Sequence, residues 1–134
     1  MEDNELNQTI LEALKGSSKA CTDLNQFVFQ AANHLRSGEI QEGNKLLGLI
    51  LDEFSQLVDF LMDLRQVKDF SASAGGKNLA EMEKESLGML EQLRMVLDAQ
   101  ENQDWVFLAD LLEYEFADKL SSWSNFFNEL TEQA

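Results

Sequence analysis

Apolar and small residues recur every three or four positions along most of this chain, the spacing that puts them on one face of an α-helix. The chain has no proline, and no segment alternates apolar and polar residues as a half-buried strand does. Helices are therefore predicted throughout. In the first segment the apolar or small positions are Leu6, Ile10, Ala13, Ser17, Ala20, Leu24, Phe27 and Ala31.

The first helix is predicted over residues 4–36, with one interruption at Gly16-Ser17-Ser18. Glycine inside a helix costs about 1 kcal/mol relative to alanine, so a break near Gly16 is one interpretation. The apolar spacing keeps the same register on both sides, which favours a continuous helix whose small residues allow another helix to approach closely. Gly38 should end the helix, because glycine readily adopts the left-handed conformation found there.

The second helix is predicted over residues 39–68 and is apolar over about half of its circumference. Leu49, Phe60 and Val67 form a second apolar line beside its main stripe. That main stripe consists of Ile40, Leu47, Ile50, Leu51, Phe54, Leu57, Val58, Leu61 and Leu64.

A loop rich in small residues, predicted to be mobile, follows at residues 69–77 and includes a pair of glycines. Asn78 is the expected cap of a third helix over 78–101, and Asp104 is the expected cap of a fourth over 104–131. The seam of the third is Leu79, Met82, Ser86, Leu90, Leu93 and Leu97, and that of the fourth is Trp105, Ala109, Leu112, Phe116, Leu120, Trp123, Phe127 and Leu130.

Four long helices joined by two short turns and one longer loop predict an all-α fold, an antiparallel up-down-up-down four-helix bundle. Short turns force consecutive helices to lie side by side in opposite directions. The length of 134 residues suits one domain, here residues 1–134.

The charge pattern excludes some partners and favours others. A net charge of −15 argues against binding to nucleic acid or to anionic membranes, and no apolar run is long enough to span a membrane. Residues 98–134 carry nine acids against Lys119 alone, a charge of −8. Such a surface is either simply solvated or attracts a basic partner. The lone Cys21 and the acidic, polar start predict a cytoplasmic protein.

No motif predicts a catalytic, cofactor or metal site, so the chain is expected not to be an enzyme. Two-metal bundles need Glu-x-x-His, but Ala31 stands three residues before the single histidine, His34. Cys21 and His34 lie about 20 Å apart along a continuous helix, too far for a nucleophile and its base. Two fragments, residues 14–18 and 34–38, partly resemble histidine phosphotransfer domains, but Glu12 or Ser37 stands where the pattern needs histidine or lysine.

Seven of the twelve aromatic residues lie between Trp105 and Phe127, more than one core-facing stripe needs. The excess is a flanking line of Phe107, Leu111 and Tyr114. This line and the line at Leu49 either cover each other inside one bundle, or one of them forms an interface with a partner or a second copy. The residues predicted to bind a partner are Phe107, Asp110, Leu111, Glu113 and Tyr114.

Residues 104–115, which read DWVFLADLLEYE, together with the later Trp123, resemble a signature of small uncharacterised bacterial all-helical proteins. The resemblance implies a bacterial, cytoplasmic, all-helical protein and supplies no activity. Size and acidity are also similar to flagellar and type III export chaperones at the level of the fold. We therefore expect a non-enzymatic interaction bundle, as a homodimer, chaperone or adaptor. The alternative is a signalling bundle related to phosphotransfer domains, without an active histidine.

Overall fold

The computed structural model describes the backbone of residues 2–67 and 77–133 and the side chains of residues 5–67 and 80–132. These residues form four helices and no strand, which confirms the predicted all-α fold. The first three helices are α1, Glu2–Arg36, α2, Ile40–Leu64, and α3, Lys77–Glu101. The fourth, α4, consists of three contiguous segments, which are Trp105–Asp110, Leu111–Phe116 and Ala117–Gln133.

Helix α1 is continuous through Gly16, as the unbroken register favoured. Its small residues bring it very close to α4. The Ser18 hydroxyl donates to the backbone carbonyl of Ser124 at 3.0 Å, and the Ser124 hydroxyl donates to the backbone carbonyl of Ser18 at 3.0 Å. A side chain as short as serine can bond to the opposite backbone only where the two helices nearly touch. Within the Gly16-Ser17-Ser18 segment the close approach to α4 is therefore at Ser18, whereas a Cβ added at Gly16 would meet no atom within 4 Å.

Two short turns join α1 to α2 and α3 to α4, and both have the same hydrogen bonds. In the first, the Glu39 amide donates to the His34 carbonyl at 2.8 Å around Gly38, whose φ is +81°. In the second, the Asp104 amide donates to the Ala99 carbonyl at 3.2 Å around Gln103, whose φ is 56°. This pattern closes helices around one left-handed residue. The prediction that Gly38 ends the first helix is confirmed.

Replacing Gln103 by glycine should stabilise the protein. A left-handed conformation costs a residue with a side chain about 1–2 kcal/mol, part of which the greater freedom of unfolded glycine offsets. We expect the free energy of unfolding of Gln103→Gly to rise by about 0.5–1 kcal/mol, measured by urea denaturation. The matched change Gly38→Gln should lower it by a similar amount. A loss of stability in Gln103→Gly would contradict this account of the turn.

The side chain of Asp104 caps α4, as predicted: its Oδ1 accepts the Phe107 amide at 3.3 Å. The structure differs from the approximate predicted boundaries at the end of α2 and the start of α3. Helix α2 ends at Leu64, because the amides of Gln66 and Val67 donate to carbonyls three residues back in a tighter turn. Helix α3 already includes Asn78, which therefore is not its cap. The predicted loop 69–77 lies outside the described residues except for Lys77, which is helical.

The predicted seams of α2 and α4 are confirmed as the centre of the core. Phe54 of α2 is fully buried, and its ring centroid lies 5.0 Å from that of Phe116 and 5.2 Å from that of Trp123. The rings of Phe116 and Trp123 meet nearly edge to face at 6.3 Å. The other seam residues of the two helices are buried, apart from Ile40, Leu51 and Trp105, which are half-buried and packed against the core.

The predicted seams of α1 and α3 were partly wrong. On α1, Leu6 and Phe27 are exposed, while Leu14, Cys21 and Val28 are buried. Helix α1 contacts both α2 and α4, so its buried face is broader than one stripe and is centred beside the predicted one. The α3 seam is displaced in the same way: Leu90 and Leu97 are exposed, and the buried residues are Met82, Ser86, Met89, Gln92, Val96 and Ala99.

Each helix packs against its neighbours in the chain, and the first helix also packs against the last. Helix α1 packs against α2 and most extensively against α4, α2 packs against α3, and α3 packs against α4. Within the described ranges, none of the helices is both long and apolar enough to cross a bilayer.

Candidate interaction surface

The flanking line of α4 is split between core and solvent. Leu111 is buried, with 4% of its surface exposed, whereas Phe107 is 49% and Tyr114 72% exposed. Of the similar line on α2, Leu49 is exposed and Phe60 packs near Phe127, with 6.4 Å between ring centroids. The described part of the protein therefore covers neither Phe107 nor Tyr114. Leu111 lies beneath this surface and is not available to a partner in this conformation.

A π-helical segment, Leu111–Phe116, carries the predicted surface residues Leu111, Glu113 and Tyr114. The Ala117 amide donates to the Leu112 carbonyl five residues back, the defining hydrogen bond of a π-helix. This wider turn accompanies an unusually broad buried face, on which Leu111 and Leu112 are buried side by side and Phe116 and Ala117 follow. Such segments are rare and occur frequently at functional sites. No sequence pattern considered above predicts a π-helix, although the broad apolar face of this region is consistent with one.

Arg36, the last residue of α1, brings three of the predicted surface residues together. Its Nη2 lies 2.8 Å from Asp110 Oδ1, and its Nη1 lies 3.2 Å from Glu113 Oε1. The guanidinium carbon also lies 5.6 Å from the centroid of the Tyr114 ring, within the range of a cation–π contact. Arg36 is a basic residue in the last turn of α1, and no sequence pattern shows that it meets residues more than seventy positions away.

In the cluster of Arg36, Asp110, Glu113 and Tyr114, two acidic side chains surround one basic side chain. Hydrogen bonds and charge from Asp110 and Glu113 raise the pKa of Arg36 above its ordinary value. The carboxylate of the adjacent Glu113 raises the pKa of the Tyr114 phenol, while the charge of Arg36 opposes the shift. The phenol is protonated at neutral pH, as tyrosine ordinarily is, and can donate a hydrogen bond. Two carboxylates against one guanidinium leave the cluster with a net negative charge.

The other candidate reactive residues, Cys21 and His34, do not form part of this surface. Cys21 is fully buried, and burial raises the pKa of its thiol to about 12, so the reactive thiolate is scarce at neutral pH. It shares the continuous α1 with His34, which instead lies 3.3 Å from Glu39 Oε1 through its Nδ1. Among residues 5–67 and 80–132, histidine, cysteine and acidic side chains form no group that could hold a metal ion.

Comparison with protein-family models gives one match. Residues 12–126 match the family described as Domain of unknown function (DUF8042), and the chain belongs to this family. The match agrees with the resemblance to uncharacterised proteins, and its range includes Arg36 and residues 104–115. Searches of curated proteins and of solved structures found no match.

Proposed function

We propose that this DUF8042 protein is a non-enzymatic interaction bundle that binds another protein through the Tyr114 surface, defined as Arg36, Phe107, Asp110, Glu113 and Tyr114. The observation that carries the proposal is the exposure of Tyr114, at 72%, beside half-exposed Phe107 on the same helix. Aromatic residues and arginine are the side chains most enriched at protein interfaces. The surrounding acids would give the partner its orientation.

We further propose that the four helices are arranged antiparallel, up-down-up-down. Paired residues support it, because their numbers rise on one helix while they fall on the other. Along α1 and α4, Ser18 meets Ser124, Asn25 meets Ser121 and Arg36 meets Asp110. Between α2 and α3, Arg65 lies near Glu83 and Asn44 near Gln100. In this arrangement the end of α1 and the start of α4 share one end of the bundle, where Arg36 completes the surface.

Charge favours a basic partner over a second copy of the chain. The net charge is −15, and residues 98–134, which include every residue of the Tyr114 surface except Arg36, carry −8. Two such surfaces repel each other, whereas a segment containing lysine or arginine is attracted. The single buried cysteine and the resemblance of residues 104–115 support a bacterial cytoplasmic location within this proposal.

Site-specific photo-crosslinking tests the surface. A photoreactive phenylalanine analogue replaces Phe107 or Tyr114 in the full chain, and the matched control places it at Ser122, an exposed position on the same helix. We expect Phe107 and Tyr114 to form a covalent adduct with the same second protein, and Ser122 to form none. Adducts of equal yield at all three positions, or none at Phe107 and Tyr114, would contradict the proposal. An adduct with twice the chain's mass would show that the partner is a second copy.

Tyr114→Ala should leave the fold intact, because an exposed side chain contributes little to stability. Loss of the adduct from the Phe107 position in this variant, with an unchanged urea midpoint, would show that Tyr114 contributes to binding rather than to folding.

A further inference from the structure

A groove runs between α1 and α2 on a face of the protein that does not include the Tyr114 surface. It encloses about 380 Å³. Phe27 on one wall and Leu49 on the other are 44% and 63% exposed. The apolar residues that line it are Ala20, Leu24, Phe27, Leu46, Leu49 and Ile50. We call it the α1/α2 groove.

The groove extends along the two helices. A second depression of about 230 Å³ shares Gly16, Ala20 and Glu53 with it and continues to Ala13 and Phe60. The distance along α1 from Ala13 to Phe27 is about 21 Å at 1.5 Å per residue, close to four helical turns. Because several α1 residues along this distance have small side chains, the wall that α1 forms rises little above the floor of the groove. The dimensions suit an elongated occupant such as another helix more than a compact small molecule.

Carboxylates border the apolar floor on both walls. Asp23 of α1 and Glu53 of α2 line the groove, and Lys19 is the base that accompanies them. Within the described residues, neither Asp23 nor Glu53 lies within ion-pair distance of a basic side chain. An acid on each side of an apolar strip complements a helix whose apolar stripe is flanked by basic residues on both sides.

We propose that the α1/α2 groove binds an amphipathic helix of a partner protein, with lysine or arginine on both sides of its apolar stripe. The inference rests on the proposed role as an interaction bundle and adds a second surface with its own ligand. Leucine-like side chains of the bound helix cover Phe27 and Leu49, and its flanking bases pair with Asp23 and Glu53. A second copy of this acidic chain is disfavoured by charge.

The glycines of the chain allow a sharp test. A Cβ added at Gly16 or at Gly48 would meet no atom within 4 Å, and both glycines are exposed, so a side chain can begin at either position without a clash, and replacing a helical glycine favours the helix. Gly16 lines the groove, whereas Gly48 does not. Gly16→Leu therefore fills the groove, and Gly48→Leu is the matched control on the neighbouring helix.

The probe is a labelled synthetic helical peptide of about 18 residues, five helical turns, with a leucine stripe flanked by lysines. A second peptide carries glutamate in place of every lysine. Fluorescence anisotropy measures binding to the full chain at physiological salt. We expect wild type and Gly48→Leu to bind the lysine peptide equally, Gly16→Leu to bind it at least about tenfold more weakly, and the glutamate peptide not to bind.

Other outcomes would overturn the inference. Equal binding by Gly16→Leu and wild type, or equal binding of both peptides, removes the groove as the site. Loss of binding in Tyr114→Ala but not in Gly16→Leu moves the peptide to the Tyr114 surface, which refutes the groove and supports the proposed function. A dimer in light scattering that Gly16→Leu dissociates makes a second copy the occupant. If no variant binds the peptide, the groove inference fails, and crosslinking at Tyr114 decides the proposed function separately.

Discussion

Phe54→Ala should lower the free energy of unfolding by about 3–5 kcal/mol, the loss typical of removing a buried phenylalanine. Phe54 is fully buried, and its ring contacts those of Phe116 and Trp123 on α4. The change leaves a cavity at the centre of the core, and it also removes two aromatic contacts worth about 0.5–1.5 kcal/mol each beyond the buried area. Urea denaturation followed by circular dichroism measures the loss.

The control for Phe54→Ala is Leu49→Ala on the same helix. Leu49 is 63% exposed, so its truncation should change stability by no more than about 0.5 kcal/mol. If Phe54→Ala does not fold, Phe54→Leu keeps the test open, with an expected loss smaller than that of alanine. A loss in either Phe54 variant no greater than that in Leu49→Ala would contradict the assignment of the three rings as the core.

Replacing Ser124 by a large residue should destabilise the protein more than replacing it by alanine. Ser124 and Ser18 each donate to the other's backbone carbonyl, so the two helices leave no room for more atoms. Ser124→Ala keeps the spacing and removes a hydroxyl, at a cost of about 0.5–1.5 kcal/mol. Ser124→Leu forces α1 and α4 apart, and the expected loss is about 1–3 kcal/mol or more in the same urea measurement.

Ser122→Leu is the matched control for this series, because Ser122 is exposed on the same helix. Its expected change is within about 0.5 kcal/mol. If the leucine variant at Ser124 were no less stable than the alanine variant, the hydroxyls and not the close spacing would explain the serines.

Local patterns were sufficient where one physical requirement acts within a few residues. The seam of α4 could be predicted because large residues at alternating steps of three and four leave only one apolar face. Asp104 was recognisable as a cap because its side chain satisfies an amide three residues ahead. Gly38 was recognisable as a helix end because its left-handed conformation suits glycine.

The pattern was insufficient where a helix offers two apolar lines. On α3, the line through Leu90 and Leu97 and the line through Met89 and Val96 have the same spacing, and leucine is the more apolar choice. The structure nevertheless buries Met89 and Val96. Which line faces inward depends on how α2 and α4 contact α3, and sequence spacing carries no information about the position of neighbouring helices.

The sequence by itself determined the helical fold, the acidic charge and the excess of aromatic residues in α4. Only the tertiary structure decided which residues of that region meet solvent, because burial depends on what packs against a helix and not on the helix alone. It buried Leu111, exposed Phe107 and Tyr114, and brought Arg36 from the far end of α1 to the acids beside them. The α1/α2 groove has the same origin, since a groove exists only between two packed helices.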